Sequence, residues 1–268
     1  MSACSLIIST YNWPAALNLC LLSLQQLKRL PDEVIIADDG SRDETKQVIE
    51  KFQKLLPIPL IHVWHEDQGF RLSKIRNKAI AAASGDYIIQ IDGDVIMDPH
   101  FIEDHLRIQK KNYFVIGSRG SLTQAYSQSI LKKQHLPAIG LLRKNILSGV
   151  LNTYRSPILS NLLYNKYKVR GKYKYYSKGC NMAFWRADAI QINGYNETME
   201  GWGREDEELV TRLFILGKNK QFLKMGGVLY HIWHKKAAHQ NEPANLEILY
   251  KTRKSGIYRC AQGLDQYL

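Results

Sequence analysis

The feature that most constrains the fold is an alternation of short apolar runs with amphipathic segments through the first hundred residues. Residues 5–9 read as a strand that runs into the turn Thr10-Tyr11-Asn12-Trp13-Pro14, and residues 15–27 read as a helix. Residues 33–37 form a second strand-like run ending in Asp38-Asp39-Gly40-Ser41. Ser41-Arg42-Asp43-Glu44 has the spacing of a capping box. The helix after it should turn Val48, Ile49, Phe52 and Leu55 to one face. Residues 60–64 and 87–91 read as strands, with a third helix at 72–83 between them. Strand–helix alternation of this kind predicts a mostly parallel α/β sheet with helices on both faces. Ligands of such sheets sit outside the carboxyl ends of the strands.

Polar clusters fall at those ends. Thr10-Tyr11-Asn12 follows the first strand, Asp38-Asp39 the second and Asp92-Gly93-Asp94 the fourth. The segment Tyr87-Ile88-Ile89-Gln90-Ile91-Asp92-Gly93-Asp94 ends an apolar run in two carboxylates spaced i, i+2. On a strand that spacing puts both on one face. Gly93 between them lets a ligand approach the backbone. Carboxylates at the end of a buried strand call for a positive partner, and a divalent cation holding a diphosphate satisfies that need. No glycine-rich dinucleotide fingerprint and no phosphate loop follows the first strand.

A second acidic cluster is Gly201-Trp202-Gly203-Arg204-Glu205-Asp206-Glu207-Glu208, followed by the helical apolar face Leu209, Val210, Leu213 and Phe214 and by Gly217 as terminator. Glu207 and Glu208 fit plain stabilisation of a helix N-terminus. Asp206 lies one turn before Val210, so it should face inward, where a carboxylate can act as a general base. Further on, Tyr230-His231-Ile232-Trp233-His234 places two histidines three apart. Imidazole beside carboxylates suits Mn²⁺ over Ca²⁺.

The formal net charge of +12 is unevenly placed. No acidic residue occurs between Asp104 and Asp188, while sixteen Lys or Arg fall from Arg107 to Arg186, interleaved with Tyr154, Tyr164, Tyr167, Tyr173, Tyr175 and Tyr176. Such a stretch suits nucleic acid, an anionic membrane face or a phosphorylated acceptor. It is expected as a basic amphipathic lobe or insertion over residues 105–178, set between a nucleotide-sugar-binding half (1–104) and an acceptor-binding and catalytic half (179–268) of one integrated domain. The four cysteines are scattered and are expected to be reduced, without a zinc site. The apolar start lacks a basic n-region and reads as a core strand, which favours a cytoplasmic setting.

Taken together, Ser9-Thr10-Tyr11-Asn12, Asp38-Asp39-Gly40-Ser41, Arg76-Asn77, Asp92-Gly93-Asp94 and the late Glu205-Asp206 resemble a family 2 glycosyltransferase over roughly residues 3–235. The stretch Gly201 to Asp206 is similar to a signature of β-1,4-galactosyltransferases and bacterial chondroitin-polymerase-like enzymes. The resemblance implies a GT-A fold and a UDP-sugar donor. It implies Asp39 on the uracil ring, Thr10 or Tyr11 in the same pocket and Arg76 supporting the nucleotide site. Asp94 would be the main ligand of Mn²⁺ or Mg²⁺, with Asp92 on ribose or on metal-bound water. His231 or His234 would complete the metal shell, and the spacing leaves the choice open. Asp206 would be the catalytic base, Trp202 and Glu205 would hold the acceptor, and Asn181 of Gly179-Cys180-Asn181-Met182 would touch donor sugar and acceptor. The Gln-x-x-Arg-Trp motif of processive synthases is absent.

The expected reaction is metal-dependent, inverting transfer of a sugar to a hydroxyl of a glycan or lipid-linked acceptor, in bacterial surface polysaccharide or lipopolysaccharide assembly. The basic stretch adds an expectation of peripheral binding to the cytoplasmic face of a membrane. Two alternatives fit less of the chain. A nucleotidyltransferase of related build needs a Gly- and Lys-rich loop after the first strand, which is missing. A nucleic-acid-binding protein explains the basic middle but leaves the acidic clusters idle, so no nucleic-acid partner is expected.

Overall fold

The computed structural model describes residues 2–235 and 241–268. The chain runs β1 (Cys4–Thr10), α1 (Pro14–Leu24), β2 (Glu33–Asp38), α2 (Asp43–Leu55), β3 (Leu60–Trp64), α3 (Leu72–Ala82), β4 (Tyr87–Asp92) and β5 (Val95–Met97). It continues through α4 (Phe101–Ile108), β6 (Tyr113–Ile116), β7 (Gly120–Leu122), α5 (Gln124–Lys133), α6 (Ile139–Lys144), β8 (Ile146–Ser148) and α7 (Pro157–Leu163). The last third holds β9 (Met182–Trp185), α8 (Arg186–Gln191), α9 (Glu205–Ile215), β10 (Asn219–Phe222), β11 (Leu229–His231) and α10 (Glu242–Ser255).

A seven-stranded sheet has the order β10-β6-β9-β4-β1-β2-β3. Its first four strands in the chain are parallel, as the alternation predicts; β9 enters antiparallel to both β4 and β6. Side chains leave alternate faces of each strand. Leu6 and Ile8 therefore pack with Leu17, Leu21 and Phe52 of α1 and α2, while Ile7 packs with Ile75, Ala79 and Leu213 of α3 and α9. Both faces are covered, which is why the central strands read as unbroken apolar runs. A second sheet of four strands, β5-β11-β7-β8, stands at the carboxyl end of the first.

Some local expectations change. Ser41 does not cap α2. Its hydroxyl instead accepts the Asn12 N–H at 2.8 Å, and the Asn12 side-chain oxygen accepts the Arg42 N–H at 2.9 Å, so the loops after β1 and β2 lock each other. Leu55 is exposed and its neighbour Leu56 is buried, because α2 ends there and the backbone turns extended. The span 105–178 is not one lobe: 105 falls inside α4, and β6 enters the main sheet. The peripheral part begins with α5. All four cysteines are free and buried. Among the described residues no helix is long and apolar enough to cross a membrane.

Candidate active site

Strand register builds one wall of the site. Ser9 pairs with Ala37 and with Asp92, and Thr10 pairs with Asp38. The polar ends of β1, β2 and β4 therefore open onto one cleft of about 680 Å³, lined among others by Thr10, Tyr11, Asp39, Arg76, Asp92 and Asp94. Asp39 is buried and doubly held, by His65 Nε2 at 2.8 Å and by the Arg71 N–H at 2.9 Å. Next to it, Asp38 meets His62 Nε2 at 2.8 Å. Tyr11 is half exposed and donates its hydroxyl to Asp67 at 2.8 Å.

The Asp-Gly-Asp motif does not stay on one strand. Strand β4 ends at Asp92, and Gly93 and Asp94 form the turn into β5. Gly93 packs closely on the first strand: its N–H reaches the Ser9 carbonyl at 2.7 Å, and a Cβ there would lie 3.1 Å from that oxygen, a tight contact. The turn sends the two carboxylates to different partners. Asp92 accepts from Arg76 Nη2 at 3.2 Å. Asp94 turns to the second sheet. There β11 pairs antiparallel with β5, His231 opposite Val95, and the Ile232 N–H bonds the Asp94 carbonyl at 2.9 Å. That register brings His231 Nε2 to 3.2 Å and His234 Nε2 to 3.1 Å from Asp94 Oδ2. One ligand atom from each of the three residues lies within 4.8 Å of the others.

Asp94 Oδ1 is buried without a hydrogen-bond partner, an orphan that a cation would satisfy. Burial opposes ionisation of Asp94, but the two imidazoles outweigh it and hold its carboxyl below the ordinary range. The hydrogen bond to Asp94 in turn raises His234. One carboxylate and two imidazoles with an unfilled oxygen fit a divalent ion such as Mn²⁺.

The opposite wall is the start of α9. Gly201, Gly203 and Arg204 all have positive φ (73°, 111° and 73°), and this tight turn places Trp202 at the cleft with its side chain part-exposed. Asp206 is fixed by three donors: Arg76 Nη1 at 2.9 Å, the Gly179 N–H at 2.8 Å and the Tyr195 hydroxyl at 3.2 Å. Glu205 accepts the Gly203 N–H at 3.1 Å. Burial and the adjacent Asp206, against the pull of Arg76, push its carboxyl up to about 7. Arg76 sits between the walls, 1% exposed, within 3.8 Å of Asp92, Glu205 and Asp206 at once. Burial disfavours its charge, yet Tyr195 and these carboxylates raise it above the ordinary guanidinium range.

Among the predicted site residues, Asn181 is misplaced. It is fully buried behind the cleft, its amide donating to the carbonyls of Ser118 and Gly227 and its oxygen meeting His105 Nε2 at 2.9 Å. A residue with all these bonds satisfied inside the core cannot touch a sugar. Lys178, Gly179 and Cys180 line the cleft instead. Glu208 is no simple helix-end charge either: it is buried against Arg212 at 2.8 Å. Residues missed from sequence include Tyr195, His65 and Arg119. Arg119 lines the cleft, and its charge is favoured by Cys180, Asp94 and Asp92 against the opposing effect of burial. It is one of sixteen cations in the acid-free span, with nothing local to distinguish it. His65 carried more signal, since it follows the strand that neighbours Asp38-Asp39.

The sequence description of glycosyl transferase family 2 matches residues 5–179. The chain belongs to that family. A second description, the N-terminal domain of galactosyltransferase, matches residues 161–235 and so takes in Trp202, Glu205, Asp206 and both histidines. Chondroitin synthase of Escherichia coli is 26% identical over 85% of this chain and 34% of its own length. Hyaluronan synthase of Pasteurella multocida is 27% identical over 85% of this chain and 24% of its own length. The chain thus spans about a third or less of these synthases. In structure, S. aureus TarS 1-349 in complex with UDP-GlcNAc overlays all of this chain and 69% of its own (TM-score 0.65, 15% identity). The mannosyltransferase PcManGT from Pyrobaculum calidifontis, in complex with GDP-Man and Mn²⁺, covers 98% of this chain and 66% of its own (TM-score 0.63, 14% identity). The fold is GT-A.

Proposed function

We propose that the protein transfers a sugar from a UDP-sugar to a hydroxyl of a glycan or lipid-linked acceptor, with inversion and with a divalent metal, Mn²⁺ or Mg²⁺. The observation that carries this reading is the convergence of Asp94, His231 and His234 across a cleft from Asp206. The complexes of fold neighbours with UDP-GlcNAc, and with GDP-Man and Mn²⁺, support a nucleotide-sugar donor and a metal. The synthases among the relatives support a role in bacterial surface polysaccharide or lipopolysaccharide assembly.

In this reading Asp39 accepts from the uracil ring, with His65 and the Arg71 N–H fixing its carboxylate, and Thr10 and Tyr11 line the same pocket. Asp92 faces the ribose. Asp94, His231 and His234 would hold the metal, which would supply positive charge against that developing on the diphosphate leaving group. Arg119, beside Asp92 and Asp94, adds positive charge on the same side. Trp202 offers an apolar ring to the acceptor and Glu205 a polar edge. Asp206 Oδ2, oriented by its three donors, takes the proton of the acceptor hydroxyl as that oxygen attacks the anomeric carbon. One displacement inverts the centre, and no second carboxyl is needed as acid. The acid-free basic stretch suits work on the cytoplasmic face of a membrane, where lipid-linked acceptors are assembled.

The test is calorimetric titration of UDP into chelator-treated protein, without metal and after adding Mn²⁺. Binding should require the metal, and Asp94→Ala should lose both binding and turnover. Equal UDP affinity in the two titrations would overturn the metal assignment.

A further inference from the structure

The segment from α6 to α7 is built inside out. On α7, Ile158, Leu159 and Leu162 face solvent, while the residue fully buried on that helix is Ser160, whose hydroxyl accepts from Arg107 at 3.1 Å. On α6, Leu142 is buried and Leu141 is half exposed. Between the helices, Leu147 and Leu151 project outward. Leu147, Leu151, Ile158 and Leu162 are each 60% to 76% exposed. A lone exposed leucine needs no explanation, but a run of them on adjoining elements does.

These elements are tied to one another and to the body of the domain. Arg143 of α6 donates to the Thr153 carbonyl at 3.0 Å and stacks on Tyr154 at 5.4 Å. Lys224 donates to the Leu151 carbonyl at 3.2 Å, and the Ser156 N–H bonds the Met225 carbonyl at 2.9 Å. Exposed cations adjoin the apolar residues in the chain, Lys144 at the end of α6 and Lys166 after α7, and no carboxylate occurs anywhere in 105–187. The face also touches the cleft wall. Asn152 donates to the Arg119 carbonyl at 3.0 Å, so the turn carrying Leu151 is one hydrogen bond from the loop that presents Arg119.

We infer that this face, centred on Leu147, Leu151, Tyr154, Ile158 and Leu162, docks the protein onto an anionic lipid bilayer. Two features select a bilayer. Among the described residues the one carboxylate bonded to this region, Asp104, is buried and paired with Arg155, so the apolar side chains can enter the acyl boundary while flanking Lys and Arg reach lipid phosphates. Tyr154, apolar in body and polar at its tip, suits the same boundary. The inference deepens the membrane setting of the proposed function by naming the docking face, and vesicle binding tests it without donor or metal.

The experiment is sedimentation of the full chain with phosphatidylglycerol and with phosphatidylcholine vesicles, at low and high salt. Wild type should pellet with the anionic vesicles at low salt and bind at least ten times more weakly at high salt, since screening shortens the field. The triple variant Leu151→Ser, Ile158→Ser, Leu162→Ser should bind the anionic vesicles at least ten times more weakly. Its circular-dichroism spectrum and thermal melt should match those of wild type, which keeps a folding defect separate from a docking defect. Absence of wild type from every pellet would overturn the inference, as would a triple variant that pellets like wild type. A wild type that sediments as a dimer, with the triple variant a monomer, would assign the face to a second copy and overturn it too.

Discussion

The cleft and the basic segment after β7 handle positive charge in opposite ways. In the cleft, Arg76 is buried and meets three carboxylates drawn from β4 and α9. The basic segment holds no carboxylate of its own; Arg155 pairs with Asp104 of α4 at 2.9 Å, while other cations settle on carbonyls and rings. Lys168 lies within 5.4 Å of the ring centres of Tyr167, Tyr173 and Tyr176. From outside the segment, Lys220 of β10 donates to its carbonyls at Tyr173 and Tyr176, and Lys224 to that of Leu151. A carbonyl or ring satisfies the geometry of a cation without cancelling its charge. The cleft is therefore electrostatically closed and preorganised, whereas the segment keeps a positive field directed at whatever it meets.

The comparison is broken most severely at Asp206. Asp206→Asn keeps the shape of the cleft and should lower turnover by about 10²- to 10⁴-fold while UDP affinity holds, as loss of a general base does. Single-turnover kinetics beside UDP titration would check it. A nearly normal rate for Asp206→Asn, with Glu205→Gln inactive, would move the base to Glu205.

Arg76→Met comes next. Removing the guanidinium leaves Asp92, Glu205 and Asp206 facing one another, and breaking a buried ion pair from one side costs roughly 3–5 kcal/mol. Urea unfolding should show that loss. The counterpart in the basic segment, Lys144→Ala, should change stability by no more than about 0.5 kcal/mol. Similar losses from both variants would erase the contrast between the two regions.

The smallest effect is on pH dependence. The folded protein keeps a proton on Glu205 up to about 7, while the ordinary value is 4.5. Between those values the folded state binds more protons than the unfolded, so stability contributed by this group is present at low pH and falls as pH rises through 7. The whole effect is at most on the order of 3 kcal/mol. Glu205→Gln should flatten this slope in thermal melts between pH 5 and 8. An unchanged slope would show that Glu205 ionises freely in the cleft.

Much of the donor side was legible without coordinates. Strand periodicity is local, so the apolar runs of β1, β2 and β4 located their own ends, and with them Thr10, Asp39 and Asp92. The inward turn of Asp206 followed from its spacing to Val210 on α9, another local quantity. The basic segment was legible as charge, since the absence of acids over 105–187 is a property of the chain alone. Its inside-out helix was not, because an apolar stripe looks the same whether it faces a core or solvent.

What only the tertiary structure decided are the meetings between distant segments. Whether His231 or His234 approaches Asp94 depended on the pairing of β11 with β5, and that register brings both. Asn181 sits at a position that the family resemblance assigned to the cleft, yet the crossing of β9 between β4 and β6 draws its amide into the core. Arg119 and Tyr195 reach the site from loops that carry no periodic signal. The physical reason is common to all four. Local pattern sets which way a side chain leaves its own element, but which elements face it is set by non-local packing, where burial and hydrogen-bond satisfaction across the whole domain select the partner.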